Sequence, residues 1–290
     1  MTFADVGNWL VDPDLIVAFW LPLAFAALAA LIARLFGSRG AALASAGAGV
    51  GFVLAYAIIL HNCGVPAPLA EHKPLYLALL GLLIGCVLDS ENLGGRFRRP
   101  LIVLLGLLAV LWIAAPALLD SRAGPERNLV IGYLIAAAFV LVRTTHVAGS
   151  ALTPPLQLFV AALGVAAVAV TADAEAHAKL ALGLGAATLG FVAWNWPTVR
   201  FIPGAALTLG VGLPLLALGG EVALYEDGNP WALGLLLLVF FSEWLTSRIG
   251  LGNKGKAMGP WAQAFACLLV IGGATAIARW QAGLPLPLFG

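Results

Sequence analysis

Ten apolar stretches of roughly membrane-spanning length follow one another through this chain of 290 residues. A helix needs about 20 apolar residues to cross the roughly 30 Å hydrocarbon layer, and helices satisfy their own backbone hydrogen bonds there. The pattern therefore predicts an all-α, polytopic integral membrane protein of about ten transmembrane helices. The predicted spans run approximately from 15 to 35, 42 to 60, 75 to 88, 101 to 119, 129 to 142, 156 to 171, 180 to 194, 205 to 220, 231 to 245 and 261 to 278.

Composition excludes a soluble globule, because 62% apolar and 10% charged residues leave too little polar surface to cover one. A net charge of +1 and basic residues confined to short loops give no reason to expect a nucleic-acid partner. The segments between the spans are all short, so residues 1–290 are predicted to form a single transmembrane domain. The small residues from Gly37 to Gly51 predict a close helix contact.

The distribution of Lys and Arg predicts the orientation, since positive loops tend to stay in the cytoplasm. With the N-terminus outside, ten basic residues fall in inner loops and five in outer segments. An inside N-terminus would reverse this bias. Both termini are therefore predicted to lie outside the cytoplasm.

Three inner loops carry recognisable motifs. The first is Ile84-Gly85-Cys86-Val87-Leu88-Asp89-Ser90, followed by Arg96-Phe97-Arg98-Arg99 and an apolar helix. The second is Gly190-Phe191-Val192-Ala193-Trp194-Asn195-Trp196-Pro197, then Gly204 and Gly212. The third is weaker and consists of Glu243, Arg248 and the basic loop through Lys256.

These motifs and the ten-helix layout resemble the polyprenyl-phosphate N-acetylhexosamine-1-phosphate transferases. The resemblance implies an active site built from five cytoplasmic loops, in the inner membrane of a bacterium. It implies the transfer of a hexosamine-1-phosphate from a nucleotide sugar to a polyprenyl phosphate, with Mg²⁺ as cofactor. The partners it implies are a membrane lipid such as polyprenyl phosphate, a second copy of the chain in a homodimer, or a protein of cell-envelope biosynthesis.

The chain departs from the family pattern mainly at residues with a chemical role. Ser90 replaces the second aspartate of the family's pair, and Ala205 replaces the metal-binding aspartate after Gly204. The loop from Arg143 to Ser150 has no carboxylate, and the last loop lacks the family's clustered histidines. Magnesium in phosphotransfer sites usually bridges one or two carboxylates to substrate phosphates. A divergent member of the family with impaired catalysis is therefore expected.

Asp89 and His146 are the candidate catalytic residues. Asp89 could act as a base or a lone metal ligand, or it could cap a helix end and pair with the arginines downstream. His146 stands where the family has acidic residues, and imidazole suits a general base or proton shuttle. A solvated histidine at the membrane interface is the alternative.

The candidates for binding a substrate or lipid phosphate are basic or amide side chains. Guanidinium groups match phosphate oxygens in two-point contacts, although the positive-inside rule alone also accounts for arginines in these loops. Asn195 is expected to organise its loop, or alternatively to bind a substrate amide. The candidates are Arg96, Arg98, Arg99, Asn195 and Arg200.

Three functions remain open at this point. The first is a catalytically impaired relative of the transferases that binds a polyprenyl phosphate, another anionic lipid or a partner protein, with no certain cofactor. The second is an active transferase of cell-envelope glycan synthesis, which would need Mg²⁺. The third is a small-molecule transporter, for which intramembrane charges or matched interrupted helices would be typical.

Overall fold

The computed structural model describes residues 15–37, 43–59, 72–90, 95–120, 125–147, 150–196, 198–248 and 258–283, without the side chains at positions 95, 96, 120, 125, 246, 247 and 258–261. This part of the chain is helical and has no strand, which confirms the all-α prediction. Eight of its helices are long and apolar enough to cross a membrane. Two further apolar helices, Ala46–Ile59 and Pro230–Leu245, are shorter. The chain is thus a multi-pass membrane protein.

The first helix begins with a π-helical turn at Ile16–Trp20. The α-helices are α1 (Leu21–Leu35), α2 (Ala46–Ile59), α3 (Lys73–Ser90), α4 (Gly95–Asp120), α5 (Pro125–Val147), α6 (Thr153–Thr171), α7 (Glu175–Trp194), α8 (Ala205–Gly210), α9 (Gly212–Leu224), α10 (Pro230–Leu236), α11 (Ser242–Arg248) and α12 (Met258–Gln281). Helices α8 and α9 are separated only by Val211 and together form one span.

Helix α4 is longer than its apolar run. The sequence predicts a span from 101 to 119, whereas α4 begins at Gly95 and includes Arg98 and Arg99. Arginine can remain in a helix at the membrane boundary because its long side chain reaches the polar interface. The extension matters for function, since it attaches both arginines to a rigid helix.

Helix α7 lies at the centre of the bundle and packs on α6, α1 and α2. The neighbouring contact between α1 and α2 depends on small residues. A Cβ atom at Gly51 would lie 2.7 Å from Ala26 Cβ and 2.8 Å from the Pro22 carbonyl oxygen. The close contact predicted for this glycine-rich stretch is therefore present in the part of it that the structure describes.

Polar side chains gather at two opposite ends of the bundle. One group lies where α3 ends and where α4 and α8 begin; we call this the Asp89 end. The other lies where α3 and α7 begin and where α9 ends; we call this the Glu221 end.

Candidate functional site

Asp89 lies at the C-terminal end of α3, and its carboxylate reaches across to the start of α8. Its side chain is only 3% exposed. One carboxylate oxygen accepts the backbone N–H of Ala205 at 2.8 Å, and the other accepts that of Ala206 at 2.9 Å. A Cβ atom at position 204 would overlap this carboxylate, so Gly204 is required for the approach. Asp89 thus caps the N-terminus of α8 from a different helix.

Arg98 supplies the third contact of Asp89. Its guanidinium group forms an ion pair and hydrogen bond with the same carboxylate. The Asp89 charge is therefore balanced by one guanidinium and by the positive end of a helix. This geometry is that of the capping alternative. A role for Asp89 as a base or metal ligand stays a prediction.

A second loop is held at the Asp89 end by Asn195. This side chain is fully buried, and its Oδ1 accepts the backbone N–H groups of Arg200 at 3.0 Å and Phe201 at 2.8 Å. The Asn195 Nδ2 is buried and has no hydrogen-bond partner among the described residues. Asn195 thus organises the turn of its loop, as expected. The Arg200 guanidinium lies 5.7 Å from the centre of the Trp194 ring.

The remaining predicted site residues are less closely connected. Arg99 and His146 are exposed, and the side chain of Arg96 is outside the described part of the structure. Helices α4 and α5 are consecutive and packed together, with a Cβ at Gly106 falling against the Leu141 side chain. This register places Arg99 and His146 at the same end of the pair. No hydrogen bond or ion pair links either residue to Asp89.

The residues at the Asp89 end do not fit the magnesium ion that the resemblance implies. Asp89 already accepts three donors, and the buried Ala205 side chain offers no oxygen. No group of three or more His, Cys, Asp or Glu side chains within the described ranges could hold a metal ion. Mg²⁺ prefers near-octahedral oxygen coordination, which this donor set does not provide.

A large apolar groove lies along α5. Its volume is about 730 Å³, and it is lined by α5, α6, α9, α10 and the 3₁₀ segment Leu237–Phe241 that follows α10. The polar residues Glu126 and Asn128 line it near the start of α5, and its lining also includes Trp231 at the start of α10, which is 77% exposed. At the opposite end the groove is lined by apolar residues, which include Val140 of α5 and Phe240 of the 3₁₀ segment.

Arg143 lies beside the end of this groove that is lined by Val140 and Phe240. Its Nε–H donates to the carbonyl oxygen of Phe240 at 3.0 Å, and its Nη2 lies 3.6 Å from Glu243. The Phe240 carbonyl also accepts a hydrogen bond from Gln157 at 3.4 Å. In a 3₁₀ segment the backbone carbonyls do not follow the α-helical hydrogen-bond pattern. The side chains of Arg143 and Gln157 supply hydrogen bonds to the Phe240 carbonyl oxygen.

From the sequence alone, Arg143 is only one of the ten basic residues in the predicted inner loops. The groove has no local sequence signature, because two separate parts of the chain, α5 with α6 and α9 with α10, build it together. One signal was available: Arg143 follows the apolar run of α5 directly, and Glu243 occupies the corresponding end of the helix after the 3₁₀ segment.

Comparison of the chain with protein-family models gives no match, and comparison with curated proteins gives none either. The likeness to the sugar-1-phosphate transferases therefore rests on the three motifs and the helix layout alone.

Proposed function

We propose that this chain is a lipid-binding relative of the polyprenyl-phosphate sugar-1-phosphate transferases that does not catalyse sugar-phosphate transfer. In this proposal it crosses the bacterial inner membrane ten times, with both termini outside and the Asp89 end in the cytoplasm. Its ligand is a polyprenyl phosphate or another anionic lipid. The observation that carries the proposal is the apolar groove with a guanidinium group beside the end lined by Val140 and Phe240.

The shape and chemistry of the groove suit a hydrocarbon chain. Between Glu126 and Val140, α5 extends for about 21 Å, which is most of the hydrocarbon thickness of a bilayer. Water molecules in the groove would have few hydrogen-bond partners, because its lining is mainly apolar. If the groove were empty, its lining side chains would lose van der Waals contacts. A long lipid chain satisfies both conditions.

Arg143 is placed to bind the phosphate of such a lipid. Its side chain is 24% exposed, so the guanidinium group is accessible while its Nε–H is fixed by the Phe240 carbonyl. A guanidinium has five N–H donors and binds phosphate oxygens with two at once. Glu243 is 45% exposed and 3.6 Å away, a weak ion pair that a phosphate would readily replace.

The absence of catalysis in this proposal is supported by the contacts of Asp89. A carboxylate that caps a helix and pairs with Arg98 is committed to the fold, and Ala205 offers no substitute. The decisive assay combines the purified protein, Mg²⁺, a nucleotide sugar and polyprenyl phosphate. Release of nucleotide monophosphate that is abolished by Asp89→Asn would overturn the proposal in favour of an active transferase.

Filling the groove is expected to prevent lipid binding. Gly132 lines the groove, and a Cβ there would meet nothing within 4 Å. Gly132→Trp should therefore be tolerated by the fold while its indole occupies the space of the hydrocarbon chain. We expect the affinity for polyprenyl phosphate, measured by native mass spectrometry from nanodiscs, to fall about tenfold or more. The control is Gly272→Trp on α12, which is also unobstructed but outside the groove. Equal affinity in the two variants would contradict the proposal.

Replacing Arg143 is expected to weaken binding of the phosphate selectively. Arg143→Gln removes the charge and the forked donor set, and we expect about a tenfold loss of affinity for polyprenyl phosphate. Binding of the uncharged polyprenol, measured in the same way, should not change. If Arg99→Gln, which alters an exposed arginine away from the groove, gave the same loss, the effect would reflect general surface charge.

A further inference from the structure

The Glu221 end contains a group of charged side chains that the proposed lipid site does not use. Glu221 is 2% exposed, although it lies within the span formed by α8 and α9. Ionisable residues inside membrane spans are rare, because their charge is costly away from water, and they commonly mark sites for ions or protons. We call Lys73, His177, Glu221 and Glu226 the Glu221 cluster.

His177 lies between the two carboxylates of the cluster. Its Nε2 is 3.2 Å from Glu221 Oε2, and its Nδ1 is 3.9 Å from Glu226 Oε1. The other oxygen of Glu221 is buried without a hydrogen-bond partner among the described residues. A neutral imidazole can donate one hydrogen bond, to Glu221, whereas an imidazolium also attracts the more distant Glu226 carboxylate by its charge.

The net charge of the cluster also depends on whether His177 is protonated. Lys73 is 7% exposed and interacts electrostatically with Glu221. With His177 neutral, the two carboxylates face one ammonium, and the half-exposed Glu226 leaves one net negative charge at the edge of the buried group. Protonation of His177 makes the cluster electrically neutral. An imidazolium at this position is attracted by both carboxylates, so protonation of His177 stabilises the cluster.

The groups that face the cluster from the described parts of the neighbouring helices are phenols. Tyr133 from α5 and Tyr225 after α9 face the cluster, and the Lys73 ammonium lies 5.8 Å from the centre of the Tyr225 ring. Neither phenol is charged near neutral pH. His72 is hydrogen-bonded to Tyr56 at 3.0 Å, and Glu175 pairs with Lys179 on the exposed face of α7.

We propose that the Glu221 cluster is a proton-binding site whose protonated form holds the ends of α3, α7 and α9 together. Among the side chains of the cluster, imidazole is the one whose ordinary titration lies nearest to neutral pH. Loss of the proton removes the attraction between His177 and the two carboxylates and loosens the end of α9. Helix α9 also forms one wall of the apolar groove, so the proton state of the cluster acts on that wall.

The test is the melting temperature of the full chain in detergent as a function of pH, which requires no lipid. Between about pH 5 and about pH 9, the wild type should lose about 3 °C or more as the proton is released, since the folded state binds it more tightly. His177→Gln, which keeps a donor but does not titrate, should lack this decline. The control is Glu175→Gln, which removes an exposed carboxylate of the same helix and should decline like the wild type.

Glu226→Gln provides a second variant, because Glu226 is 40% exposed and its replacement should not disturb folding. It makes the cluster neutral even when His177 is unprotonated. We therefore expect its melting temperature to fall less at alkaline pH than that of the wild type. A wild-type melting temperature that is independent of pH, or an undiminished decline in both Glu226→Gln and His177→Gln, would overturn the proposal.

Discussion

Replacing Asp89 with alanine is expected to lower the free energy of unfolding by about 3 kcal/mol, because it removes one partner of a buried ion pair and the cap of α8. The Asp89 side chain is 3% exposed and serves three donors at once. Without it, the N–H groups of Ala205 and Ala206 lose their acceptor in a poorly hydrated place, and the Arg98 charge loses its partner. Chemical unfolding in mixed micelles, followed by circular dichroism, measures the change.

Two comparisons separate this effect from a general loss of charge. Asp89→Asn keeps an acceptor oxygen for one of the helix N–H groups, so its loss of stability should be intermediate. Glu243→Ala removes a half-exposed acid whose ion-pair distance is 3.6 Å, and it should cost less than about 1 kcal/mol. If Asp89→Ala were as stable as the wild type, the carboxylate would not be committed to the fold, and a chemical role would regain support.

The substitution Gly85→Ala is expected to cost about 3 kcal/mol, at the upper end of the range for overpacking. Gly85 lies where α3 crosses α8. A Cβ atom there would overlap the backbone of Ala206 and lie 2.9 Å from the carbonyl carbon of Ala205. Backbone atoms at a helix start have no rotamer to change, so α3 and α8 would have to separate. Their separation would also pull the α8 N-terminus away from Asp89.

The matched control for Gly85→Ala is Gly272→Ala, at a helical position where a Cβ would meet nothing within 4 Å. Because alanine is the better helix former, this control should be neutral or stabilised by up to about 1 kcal/mol. Both variants are measured by unfolding in mixed micelles. Equal stability of the two would mean that α3 and α8 are not in the close contact described.

The helices of this fold are predictable from the sequence because each apolar run is long enough to cross a bilayer. Their ends are less predictable: Arg98 and Arg99 continue α4 beyond its apolar run, since arginine can stay helical while its charge reaches the interface. The role of Asn195 in its loop was expected from the motif, and the structure gives it two backbone amides to hold.

The roles of Asp89 and Glu221 could not be predicted in the same way. Two interpretations of Asp89 were open, and the position of the α8 N-terminus, 116 residues away in the chain, favours the capping one. Nothing local in the sequence shows that His177 meets Glu221, which is 44 residues further along. The groove beside Arg143 likewise requires the tertiary arrangement of four helices.

The contact between Asp89 and the start of α8 also limits how this protein could be engineered towards catalysis. Introducing an aspartate at position 205 would place a second carboxylate in a buried position beside Asp89, where two like charges repel each other. Moving Asp89 aside to bind a metal ion would leave α8 without its cap. A designer would therefore have to supply a new acceptor for the amides of Ala205 and Ala206 before adding any ligand for a metal.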